Sequence, residues 1–145
     1  MFRKSNQIPM LNIQINGERR LREIQSEFTS FFPFLKVEFF KAPHSIGEGS
    51  AKTLLYDLGK VVRDCRKLEK DGSLQIVETM TVHQLEQEFF NQFGLAAQVF
   101  RKSGNVWLET SATDNWTLIQ QNNEGAELST QIRENSEDQD NIDPY

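Results

Sequence analysis

Seven consecutive residues, Gly47-Glu48-Gly49-Ser50-Ala51-Lys52-Thr53, end in the Lys-Thr pair of a phosphate-binding loop. Such a loop has the spacing Gly-x-x-x-x-Gly-Lys-Ser/Thr, and its glycines let main-chain amides wrap the phosphates. Aligned on Lys52, this chain has Ile46 and Ala51 at the two glycine positions, which removes the physical basis of the motif. Ser50 reads more simply as a helix N-cap, because its hydroxyl can accept from an early helical amide. His44 and His83 are the two histidines and Cys65 the single cysteine. They lack the recognisable spacing of zinc ligands, and no carboxylates are suitably clustered to complete a site, so neither a metal nor a cofactor is expected. As a nucleophile Cys65 would need His83 beside it; on an apolar stripe, burial raises its pKa and leaves it inert. Carboxylates lie close together at Glu86/Glu88 and Asp57/Asp64, and Glu27 and Glu88 each precede a Phe. Acid–base chemistry would require a cleft that drives two pKa values apart, whereas solvated helix faces account for these residues without one. No catalytic residue is assigned, and the balance is against an enzyme.

The remaining chemistry is that of recognition. Arg101, Lys102 and Trp107 flank the turn cluster Ser103-Gly104-Asn105, with Trp116 a few residues on. Trp and Arg are enriched at interface hot spots, and aromatic–basic surfaces also hold single-stranded nucleic acid. The competing structural role is that both Trp side chains close the end of the core. Arg19, Arg20 and Arg22 form a second basic cluster at the start of an expected helix, where they oppose the helix dipole at a cost of about 0.3–1 kcal/mol.

The elements that would position these residues follow from periodicity. Ile13 and Ile15 alternate with polar residues as a half-buried strand does. After Asn16-Gly17, the positions Leu21, Ile24, Phe28 and Phe31 make a helical stripe, which Pro33 stops. Leu35, Val37 and Phe39 alternate again. Segment 74–102 repeats this order without a gap against 13–41, with Glu27/Glu88, Phe28/Phe89 and Phe32/Phe93 identical. In that second segment Thr81 and Gln84 have the spacing of a capping box, and Gly94 suits a helix end. Under the gapless alignment Val37 falls opposite Gln98, so the two segments disagree over which face of the last strand is buried. Between them Leu54, Leu58, Val61, Cys65 and Leu68 recur at steps of four and three, which predicts a long helix over 51–70 stopped at Gly72. Residues 96–109 read as a hairpin, and a short helix follows from Thr113 or Asp114 to Gly125.

The length of 145 residues fits one domain, expected over residues 1–128. The net charge is −5. Residues 129–145 carry −4 of it, with Arg133 set against Glu134, Glu137, Asp138, Asp140 and Asp143. That stretch reads as an acidic, disordered tail, and the nearly neutral body disfavours binding to a phosphate backbone. No apolar run suggests a membrane span or a secretory signal, so a cytoplasmic location is expected.

The stretch Arg101-Lys102-Ser103-Gly104-Asn105-Val106-Trp107-Leu108-Glu109-Thr110, with Asp114-Asn115-Trp116-Thr117-Leu118, resembles a family of small uncharacterised bacterial proteins of no assigned function. The resemblance implies no catalytic residue and no cofactor. The expected fold is α+β: one mixed sheet from a duplicated β-α-β unit, a ferredoxin-like pseudo-duplicate, with the long helix inserted. Two parallel crossover pairs flanking that helix are the alternative. The expected function is a non-catalytic protein-interaction or regulatory module using a sheet edge or the aromatic hairpin at Arg101, Lys102, Trp107 and Trp116. Its partner is a protein, and monomer and homodimer are both compatible with the chain. A small enzyme or ligand-binding protein with a dispersed site is the alternative, and weak nucleic-acid binding the third reading.

Overall fold

The computed structural model describes residues 9–43 and 54–141, with side chains described as far as residue 131. The phosphate-loop-like stretch, Ser50 and His44 lie outside these residues. The chain is α+β, and its elements in order are β1 (Met10–Ile15), α1 (Leu21–Phe31), β2 (Leu35–Phe40), β3 (Gly72–Val77), α2 (Val82–Phe93), β4 (Ala96–Ser103), β5 (Val106–Glu109) and α3 (Leu118–Asn141).

The strands do not form the expected mixed sheet. Among the described residues there are two sheets, β1-β3 and β2-β4-β5, and every strand pairing in them is antiparallel. A ferredoxin-like sheet would place all four strands of the two β-α-β segments side by side. Here each segment instead straddles both sheets, and its strands pair with those of the other segment. Ile13 lies directly across from Leu74, its counterpart in the sequence alignment. Val37 lies across from Val99, and both are fully buried. Gln98 is fully buried as well, so both faces of β4 are covered at this point of the strand.

The helices bury the stripes their spacing implies. Leu21, Ile24 and Phe28 of α1 are buried, as are Val82, Leu85, Phe89 and Phe93 of α2. Phe32, one residue past α1, is buried, whereas Phe31 is only partly so. Phe39 and Phe89 meet edge to face at 5.4 Å between ring centroids, joining the two segments in one core. The Thr81–Gln84 capping box is formed: the Gln84 amide donates to Thr81 Oγ1 (3.1 Å) and the Thr81 amide to Gln84 Oε1 (2.9 Å). Gly94 closes α2 at φ 65°, and a Cβ there would stand 2.3 Å from the Leu68 nitrogen.

The long helix expected over 51–70 is not formed in its described part. Residues 55–71 run as irregular chain with a 3-10 turn at Val62–Asp64, and Gly72 opens β3 rather than stopping a helix. Leu54, Leu55 and Leu68 are exposed, while Tyr56, Val62 and Cys65 are buried. Non-local pairing wins here because it supplies what α1 lacks. Arg20 precedes α1 and cannot accept a hydrogen bond through its guanidinium, so the first helical amides need another acceptor. The Leu21 and Arg22 amides donate to the Lys60 and Leu58 carbonyls (both 3.0 Å), and Arg20 bridges Val61. At the other helix the Val82 and His83 amides donate to Trp116 and Asp114 (3.0 and 2.8 Å), and Thr81 bridges Thr117.

The last helix also departs from expectation. Its N-terminal box is at Thr117, whose Oγ1 accepts from the Gln120 amide (3.2 Å), not at Thr113 or Asp114. It continues beyond Gly125 to Asn141, through residues expected to lack structure. Gly125 is buried against β4: a Cβ there would stand 2.8 Å from Phe34 Cβ and 3.1 Å from the Lys102 carbonyl oxygen. It is a close-packing glycine and not a stop.

Candidate interaction surface on the β4–β5 ribbon

β4 and β5 form a hairpin closed by Gly104-Asn105, with Ser103 across from Val106 and Gly104 at φ 63°. A glycine at positive φ in the first turn position suits a two-residue hairpin. The ribbon divides the four residues expected to act together. Lys102 lies directly across from Trp107, its Nζ 5.9 Å from the indole ring. Arg101 points to the opposite face, where its guanidinium lies 5.9 Å from the Trp116 ring and Nη1 donates to Gln121 Oε1 (2.8 Å). Gln121 is fully buried and in turn donates to the Thr113 carbonyl (2.8 Å). Arg101 and Trp116 thus join α3 to the sheet, while Lys102 and Trp107 face outward.

Lys36 of β2 completes the outward group. It pairs across from Phe100, and its Nζ lies 5.5 Å from that ring and 5.0 Å from Trp107. Two ammonium groups therefore share one indole. Its only sequence signal is its polar place in the alternation of β2, and seeing it beside Trp107 requires the register of three strands. Gln25, Ser26, Thr29, Ser30 and Pro33 of the α1 region form with Lys36 and Trp107 an open groove beside this face.

The two outer edges of this sheet differ. Along β2 the carbonyls of Leu35, Val37 and Phe39 accept from Thr29 Oγ1 (2.9 Å), Gln25 Nε2 (2.8 Å) and the Tyr56 amide (2.9 Å). That edge is closed. On β4 the Val99 amide donates to Glu86 Oε2 (2.9 Å), and its carbonyl accepts from the Thr110 amide (3.3 Å) just past β5. Val99 therefore turns its main-chain groups toward the β5 side, and by alternation so do Arg101 and Ser103. Their partners Leu108 and Val106 face β4, which leaves the main-chain groups of Trp107 and Glu109 directed outward. Among the described residues nothing pairs with that edge. The Val106 and Leu108 side chains are 55% and 42% exposed.

The other sequence candidates have structural places. Cys65 is 2% exposed in the core, and burial pushes its thiol pKa up. His83 and Glu86 border a cleft of about 210 Å³ with Phe90, Asn91 and Ala97, smaller than the ~300–1,000 Å³ of ligand pockets. Glu88 accepts from Gln92, and Asp57 Oδ2 accepts from the Gly59 amide (3.2 Å). The basic cluster is used locally: Arg20 donates to the Gly59 carbonyl, and Arg19 pairs with Glu27. The hydrogen-bonded Glu27 carboxylate holds the Arg19 pKa above its ordinary value. Among the described residues no three His, Cys, Asp or Glu side chains cluster as metal ligands, and no helix is long and apolar enough to cross a membrane. Comparisons of the chain with protein-family models, curated proteins and solved structures give no match.

Proposed function

We propose that this chain is a non-catalytic, cytoplasmic protein-interaction module that recognises an extended segment by adding it to the free edge of β5. The observation that carries the reading is the contrast between two edges of one sheet. β2 has its outward carbonyls occupied, whereas β5 presents Trp107 and Glu109 main-chain groups between exposed Val106 and Leu108. Strand addition draws affinity from main-chain hydrogen bonds and specificity from alternate side chains. Here the two rows differ: Lys36, Lys102 and Trp107 favour an acidic or aromatic side chain on one face, and Val106 and Leu108 favour an apolar one on the other. The reading also treats the two β-α-β segments as copies of one unit, with β5 appended outside their paired strands.

The test uses Glu109→Pro. Proline removes an amide hydrogen, which is tolerated at an edge whose amide faces solvent. Its thermal unfolding should stay within the ordinary surface range of about ±0.5 kcal/mol. Peptides selected from a random extended library on the natural chain should lose binding to this variant by fluorescence polarisation. Undiminished binding would overturn strand addition at β5, as would amide chemical-shift changes confined to a surface away from the ribbon.

A further inference from the structure

Resting on the strand-addition reading, we infer that the segment received by β5 is the β5 of a second copy of this chain, giving a two-fold symmetric dimer with a continuous six-stranded sheet. A two-fold contact needs a self-complementary patch, and the edge supplies one. Only Trp107 and Glu109 of β5 direct main-chain groups outward, so an antiparallel partner must set outward residues opposite outward residues. Two registers satisfy this near the middle of the strand. One sets Trp107 against its own copy, gathers the Lys36 and Lys102 ammonium groups of both copies around the paired indoles, and needs Asn105 of the turn for its outer pairs.

The other register sets Leu108 on the dyad and pairs Trp107 of each copy with Glu109 of the partner subunit. Both ladder pairs then fall within β5. The Glu109 carboxylate arrives beside the indole over which Lys102 lies at 5.9 Å, and this happens twice by symmetry. On the reverse face the half-exposed Leu108 side chains meet in the closer, non-hydrogen-bonded type of antiparallel pair. Charge and apolar surface are both matched in this register; in the first the Lys102 ammonium groups approach each other with no carboxylate brought between them, Lys36 being already paired with Glu38 (3.7 Å). The strand is only four residues long, so the contact belongs to the small, weak class of interfaces.

Sedimentation equilibrium from micromolar to near-millimolar concentration tests this directly. The natural chain should show reversible dimerisation, and Glu109→Pro should remain monomeric. Lys102→Glu and Glu109→Lys each set like charges against one another in the self-paired dimer, so each alone should dissociate at least about tenfold more readily. An equimolar mixture of the two restores opposite charges at both contacts and should associate as a heterodimer, which also shows that both variants are folded. Failure of the mixture to associate while the natural chain dimerises would place the dimer contact elsewhere and overturn the inference. A natural chain that stays monomeric while library peptides still bind β5 would overturn the dimer and leave strand addition standing. Loss of both would overturn both.

Discussion

Replacing Gly125 by alanine isolates the seating of α3 on the sheet, because the two opposing effects have known sizes. In an exposed helix interior, Gly→Ala stabilises by about 0.8–1.0 kcal/mol through backbone entropy. At this site the added Cβ meets Phe34 Cβ at 2.8 Å, Arg101 Cγ at 3.1 Å and the Lys102 carbonyl oxygen at 3.1 Å. Arg101 can give way through its flexible side chain. Phe34 Cβ and the Lys102 carbonyl cannot, since both are fixed to main chain tied by the Lys102-to-Phe34 hydrogen bond (2.9 Å). Overpacking of this kind costs about 1–3 kcal/mol, so the net expectation is destabilisation by about 1 kcal/mol. Urea unfolding followed by circular dichroism should show a lower midpoint at unchanged slope, and thermal unfolding a midpoint several degrees lower. A variant more stable than the natural chain would refute the close approach of α3 to β4.

Three further outcomes are expected. Glu86→Ala removes the acceptor of the Val99 amide (2.9 Å) and should cost about 1–3 kcal/mol, as for a buried donor left unpaired; urea denaturation checks it, and Glu86→Gln, which keeps an acceptor oxygen, should cost less. Cys65 should resist a thiol reagent in the native state and react once urea unfolds the chain. Because burial raises its folded-state pKa, its contribution to stability is intact below the unfolded thiol's pKa and declines as pH rises through the folded one. Cys65→Ser should flatten that alkaline decline in a denaturation series. Truncation after Gln131 should change stability by less than about 0.5 kcal/mol, since Thr130 and Gln131 are already exposed; differential scanning calorimetry measures the difference.

Where side-chain periodicity reports burial, the sequence was readable. The alternation of Ile13 and Ile15, the stripes of α1 and α2, the Thr81 box, the Gly94 end and the hairpin at Gly104-Asn105 all follow from local chemistry. Residues 54–70 misled because their four-and-three spacing has the helical period, while Leu54, Leu55 and Leu68 face water. The competing force was distant: α1 begins after Arg20 with unsatisfied amides, and the carbonyls of Leu58 and Lys60 answer them. Sheet membership was equally illegible, because alternation says which face of a strand is buried but not which strand lies beside it. The same limit applies to the ribbon. Arg101 and Lys102 are neighbours in sequence and lie on opposite faces, while Lys36 stands beside Trp107 from a strand far away along the chain.

The two helix beginnings have a consequence for how the molecule is made. Each is completed by a stretch that follows it at a distance, Leu58 and Lys60 for α1 and Asp114 and Trp116 for α2. A nascent chain that has released α1 still lacks the carbonyls that finish it, and the partners of β1 and β2 come later still. Such non-local closure slows folding, because loop entropy is lost before contacts compensate it. The first half of this chain can therefore complete its strand pairings only once the second half is present.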